Sequence, residues 1–183
     1  MKQATADFEF DDDAPLLDVT DVEVVYETSA GDLTAVDHLS FSVDENEIFG
    51  LVGESGCGKS TVAQAILGLL PSNGRVNAGS IKYRGVEMTE LKKRELDALR
   101  WEHLSLISQG AMNALNPVHR ISSQIVEAIQ AHRDVSTDEA RERAAELFET
   151  VGLDPERMDD YPHQFSGGMK QRAYIAMSLA LDP

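Results

Sequence analysis

Nine consecutive residues, Gly53-Glu54-Ser55-Gly56-Cys57-Gly58-Lys59-Ser60-Thr61, combine three glycines with a lysine and three hydroxyls. They fit G-x-x-x-x-G-K-[ST], the phosphate-binding P-loop. The chemistry follows from the residue types. Glycines let the backbone wrap around an anion with its N–H groups turned inward. A helix that starts at the lysine aims its positive end at the same point. Lys59 then reaches the outer phosphates, and the Ser60 hydroxyl can ligate Mg²⁺. The flanks suit this use. Residues 47–52 (EIFGLV) read as a short buried strand, and residues 61–70 (TVAQAILGLL) as a helix ended by Pro71.

A second glycine pair stands at Phe165-Ser166-Gly167-Gly168-Met169-Lys170-Gln171-Arg172, ahead of a run of helix formers over residues 173–181. Serine and two glycines opening a helix make another anion-ready N-terminus. Between the two motifs lies Leu104-Ser105-Leu106-Ile107-Ser108-Gln109, read as a short apolar strand that ends in glutamine. In this order the three segments resemble the P-loop, Q-loop and signature motif of ABC-type ATPases. The wording at Asn113-Ala114-Leu115-Asn116-Pro117, at Tyr161-Pro162-His163-Gln164 and at Ala35-Val36-Asp37 is similar to ATP-binding subunits of peptide and nickel importers. The resemblance runs from about residue 16 to the last residue. Phe165 and Met169 stand where Leu and Gln are usual, and Gly110 where that branch often has Asp.

The resemblance implies an α/β P-loop NTPase fold of the ABC nucleotide-binding type. Its parts are an incomplete RecA-like core, an antiparallel β region and a helical lobe. It implies a head-to-tail dimer in which each ATP lies between one subunit's P-loop and the other's signature. Residues 53–61 would hold the chain's own nucleotide and Mg²⁺. Ser166, Gly167, Gly168 and Met169 would meet the partner's. Gln109 would act with Lys59 in catalysis and with Ser60 at the metal. Tyr26 matches the aromatic that stacks on adenine in the family, although it reads equally as an edge-strand aromatic. Further implied partners are transmembrane permease subunits and, indirectly, a solute-binding protein, with the chain at the cytoplasmic face of the membrane. An apolar strand ending in Asp-Glu and a switch histidine follow the signature in the family. No apolar run of four or more residues ending in Asp or Glu follows the P-loop helix here. The expectation is a chain that ends before those groups and does not hydrolyse ATP alone.

Composition narrows the alternatives. The chain has 183 residues, 32 acidic against 16 basic, for a net charge of −16. Nucleic acid and anionic lipid want basic surfaces, so neither is an expected partner. A strongly acidic surface with only 6 lysines resembles proteins of salt-loving organisms, where salt screens the self-repulsion. One cysteine, Cys57, permits no internal disulfide. An ATPase of DNA repair shares both motifs but inserts long coiled coils between them. Lys59 and Ser166 are 107 residues apart, with no sustained heptads. A non-hydrolytic nucleotide-binding fragment stays open as the other reading.

The elements that must carry these motifs follow from periodicity. Residues 1–15 read as a disordered acidic tail. Residues 16–110 read as an antiparallel β region, turning at Gly31-Asp32, together with the P-loop core. Residues 111–165 read as the helical lobe, and 166–183 as the signature with its helix. Residues 80–83 suggest a strand, and residues 89–101 a charged helix. In the lobe, Ile121, Ile125, Val126 and Ile129 share one helical face. A second lobe helix shows Ser136 and Glu139 as a capping box, Ala140, Ala144, Leu147, Phe148 and Val151 on one face, and Gly152 at its end. His132 and His163 lack partners at metal-ligand spacing.

Overall fold

The computed structural model describes residues 8–108 and 114–183, with Trp101 by its backbone alone. Gln109, which the sequence assigns to the site, lies outside the described residues. The chain divides into two compact units, residues 6–96 and a second that holds residues 97–183.

In the first unit, β1 (Leu17–Thr28) and β2 (Gly31–Val43) form an antiparallel hairpin. The turn falls on Ser29-Ala30, two residues before the predicted Gly31-Asp32, because Gly31 already pairs with Thr28. β3 (Gly74–Tyr83) and β4 (Val86–Glu87) complete a sheet of order β2-β1-β3-β4. β-branched residues fill the positions that face inward: Val19, Val22, Val24, Val25 and Ile81 are each at most 3% exposed. Irregular register at residues 19–25 explains why burial along β1 does not alternate strictly. Helix α1 (Lys59–Ile66) contributes Val62 and Ala65 to this core.

The predicted helix over residues 61–70 is therefore shorter and earlier. Gly68 adopts φ 59°, Gly68 N–H donates to the Ala65 carbonyl and Leu69 N–H to that of Gln64. That is a Schellman ending, so the glycine terminates the helix three residues before Pro71 can. Two predicted strands do not form. Residues 47–52 form no strand, with Ile48 wholly exposed. Residues 105–108 are likewise irregular, with Leu106 and Ile107 exposed. An apolar strand needs neighbours for its backbone and both its faces. Among the described residues no strand pairs with either segment, although Phe49 stacks on Phe41 of β2 at 4.7 Å. Part of the predicted acidic tail is tied down: Asp11 N–H donates to the Arg84 carbonyl, and Phe10 sits edge-on to Tyr83 at 5.8 Å. The predicted helix over residues 89–101 is a 3-10 turn at Met88–Glu90 followed by α2 (Lys93–Glu102), since Glu87 caps the turn by accepting from Thr89 N–H.

The second unit packs α3 (Ile121–His132) and α4 (Thr137–Thr150) with α5 (Gly167–Ser178). Ile121, Ile125 and Phe148 are wholly buried, and Ala173 and Ala176 give α5 a smooth buried face that Ala180 continues past its end. The Ser136–Glu139 capping box forms as the sequence predicts. α4 closes at Gly152, whose N–H donates to the Glu149 carbonyl. A 3-10 turn at Pro155–Asp159 joins the helices through one carboxylate. Asp159 accepts from Arg141 at 2.8 Å and from the buried Ser122 hydroxyl at 2.5 Å.

Hydrogen bonding from Arg141, then from Ser122, holds the Asp159 carboxyl below its ordinary pKa. A depressed folded-state value contributes stability above the ordinary carboxylate range, and that contribution is lost as pH falls through the folded value. The expected outcome is a thermal midpoint that drops on acidification by less in Asp159→Asn than in the parent. Equal acid sensitivity in both chains would show that this carboxylate plays no part.

Candidate functional site

The loop is exposed over residues 53–57, and it turns into α1 through the half-buried Gly58. Gly58 is the helix N-cap at φ 94°. A side chain there would be strained by the backbone angle and would also press its Cβ to 2.5 Å from the Ala35 carbonyl oxygen on β2. So β2 fixes how closely the loop approaches, and only glycine passes. The first intrahelical bond runs from Val62 N–H to the Gly58 carbonyl at 2.9 Å. The N–H groups of Gly58, Lys59, Ser60 and Thr61 thus have no acceptor within the helix. No acidic side chain stands in its first turn.

Lys59 folds back over the loop. Its ammonium donates to the carbonyls of Gly53 at 2.8 Å and Glu54 at 2.6 Å, and stands 3.5 Å from the Cys57 sulfur. Cys57 N–H donates to the Glu54 carbonyl, closing the turn. A cavity of about 350 Å³ opens beside these groups. Ala35, Val36 and Asp37 of β2 line it together with Leu51, Cys57 and Lys59. Helix-end donors, a cation and a glycine-limited approach suit an anion with several oxygens. Ser55 and Ser60 are exposed at the loop.

Tyr26 lies within β1, two residues before its end. Its hydroxyl donates to Thr61 Oγ1 at 3.4 Å, and its ring lies against Gly74. The structure thereby brings Tyr26, residues 53–61 and the β2 segment to one region of the first unit. Sequence reasoning missed Ala35 as the stop against Gly58, because a backbone contact between a strand and a loop leaves no pattern in residue type.

Ser166, Gly167, Gly168 and Met169 form the start of α5 in the second unit. Ser166 is the N-cap, and its hydroxyl accepts from Met169 N–H at 3.4 Å. Ser166, Gly167 and Gly168 are exposed, and open space surrounds the position a Cβ of Gly168 would take. Phe165 just before them is buried and meets Phe148 edge-on at 6.4 Å. No group of three His, Cys, Asp or Glu among the described residues could hold a metal ion, and none of their helices is long and apolar enough to cross a membrane.

Known proteins resemble this chain in sequence and in fold. The family model described as ABC transporter matches residues 36–183. The oligopeptide transport ATP-binding protein OppD of Salmonella typhimurium is 45% identical over 92% of this chain and 50% of its own length. The dipeptide transport ATP-binding protein DppD of Lactococcus lactis is 39% identical over 92% of this chain and 49% of its own. The chain spans about half the length of these curated relatives. Among solved structures, a dimeric ATP-binding cassette in a post-hydrolysis state with ADP and Pi superposes with a TM-score of 0.80. It is 26% identical and covers 91% of this chain and 70% of that one. With the family model spanning four-fifths of its residues, the glycine loop with Lys59 and the Ser166 helix start included, the chain belongs to the ABC transporter family of ATP-binding proteins.

Proposed function

We propose that the chain is the ATP-binding part of an importer subunit that couples ATP to the uptake of peptides or of nickel-like solutes. The carrying observation is Lys59, held by the Gly53 and Glu54 carbonyls beside the open end of α1. ATP phosphates take the place of those carbonyls as partners of the ammonium, with residues 53–61 supplying backbone N–H groups. Tyr26 faces the base, and Ser60 with Gln109 holds Mg²⁺, whose charge offsets that of the phosphates. Ser166, Gly167, Gly168 and Met169 contact the nucleotide of a second, head-to-tail subunit. The relatives' names, oligopeptide and dipeptide transport ATP-binding proteins, support peptide as the solute. Permease subunits, reached through the helical unit, place the protein at the cytoplasmic face of the membrane, with a solute-binding protein acting indirectly. The net charge of −16 supports a high-salt setting and disfavours nucleic acid.

Hydrolysis needs phosphate positioning, a metal and a group that orients water. Lys59, Ser60 and Gln109 cover the first two, and no residue of the 183 matches the third. Losing such a group costs on the order of 3–4 kcal/mol, hundreds-fold or more in rate. A polypeptide of these residues is therefore expected to release no phosphate above its Lys59→Ala variant at saturating MgATP. Steady release that disappears in the variant would overturn this division of roles.

A further inference from the structure

We propose that Arg157 is the positioning residue for the start of α5. It belongs to the 3-10 turn Pro155–Asp159, which Asp154 caps by accepting from Glu156 N–H. From there the guanidinium reaches four groups. Its Nε and Nη2 both approach Asp160 Oδ2 at 2.9 Å. Nη2 also donates to the Gln164 carbonyl at 3.2 Å, and Nη1 lies 3.6 Å from the Met169 sulfur. Its plane covers the Phe165 ring at 4.8 Å from the centroid. Gln164, Phe165 and Met169 bracket Ser166, Gly167 and Gly168 on both sides.

The bracket has a physical purpose. Two glycines at the first positions of a helix have wide backbone freedom and no side chains to anchor them. Ser166 supplies one cap bond, and that bond is long at 3.4 Å. The direction in which the exposed N–H groups point is thus set from outside the motif. Arg157 does this by gripping the residue on each side while Asp160 fixes its own plane. Asp160 is itself held, because its carbonyl accepts from Ile121 N–H at the start of α3. The grip depends on a planar fork with an aromatic face beneath it. Lysine keeps the charge but loses the fork and the stacking. That this helix start meets a partner's nucleotide rests on the proposed function; the grip itself does not.

The test uses Arg157→Ala, Arg157→Lys and Phe165→Leu in the full chain. Amide hydrogen exchange is read at Met169 and Lys170, whose N–H groups are bonded to Ser166, together with MgATP affinity and nucleotide-dependent self-association. In Arg157→Ala, exchange at Met169 and Lys170 should quicken about tenfold, the scale of one lost cation–π contact with its hydrogen bond. Exchange inside α3 and α4 should stay at the parent's rate, which also establishes that the variant is folded. MgATP affinity, which the P-loop sets, should stay within about twofold while self-association weakens about tenfold. Arg157→Lys should fall between parent and Arg157→Ala. Phe165→Leu combined with Arg157→Ala should cost less than the two single effects together, because they share one contact. Unchanged exchange at Met169 and Lys170 in Arg157→Ala overturns the proposal, as does full rescue by lysine. Quickened exchange in a chain whose parent shows no nucleotide-dependent association supports the positioning and overturns the two-subunit reading instead.

Discussion

Lys59→Ala is expected to weaken MgATP binding by about thirtyfold or more, corresponding to roughly 2–5 kcal/mol. The ammonium is the one cation within hydrogen-bond reach of the Gly53 and Glu54 carbonyls among the described residues. Removing it leaves phosphate charge facing carbonyl oxygens with only helix-end N–H groups to answer it. Those N–H groups are worth less alone, because a helix end carries only a partial charge. Calorimetric titration of parent and variant measures the ratio. Arginine at the same place keeps the charge but adds bulk beside the cavity lined by Val36 and Cys57, so Lys59→Arg should also bind more weakly than the parent. Equal affinity in parent and Lys59→Ala would mean that the loop does not hold the phosphates.

Phe148→Ala is expected to destabilise the helical unit by about 3–5 kcal/mol. Its ring is wholly buried in the apolar cluster that also holds Ile125, Ala144, Leu147 and Phe165. This loss takes a large share of a domain's usual stability margin of about 5–15 kcal/mol. The same ring supports Phe165, so the start of α5 should loosen before the unit unfolds. Urea denaturation followed by circular dichroism gives the midpoint. A change below about 1 kcal/mol would mean that the site collapses around the smaller side chain.

What the sequence made legible were features whose cause is local. The left-handed glycine that opens α1 and the Ser136–Glu139 box are both visible in their own residues. The buried face of α3 follows from spacing, and Ile121, Ile125, Val126 and Ile129 all reach the core. Segments whose state depends on neighbours were misread. Residues 47–52 have the apolar content of a central strand, yet no described strand pairs with them, so Ile48 and Val52 face solvent. Residues 105–108 fail for the same reason. The end of α1 was misplaced because Pro71 drew the boundary while Gly68, three residues earlier, already supplies the left-handed cap. Arg157 escaped notice altogether. Its surroundings, Asp154 to Asp160, have the charged composition of a solvated turn, and stacking on Phe165 leaves no periodic trace. Tyr26 was placed on its strand, but its reach to Thr61 needed the tertiary structure.

The central claim is that ATP is held by residues 53–61 with Tyr26 beside them. Amide hydrogen exchange of the full chain with and without saturating MgATP tests it most directly. The account predicts slowed exchange over residues 53–62 and near Tyr26, with both effects lost in Lys59→Ala. Exchange over residues 53–62 that is the same with and without MgATP, or protection that survives in Lys59→Ala, would contradict it.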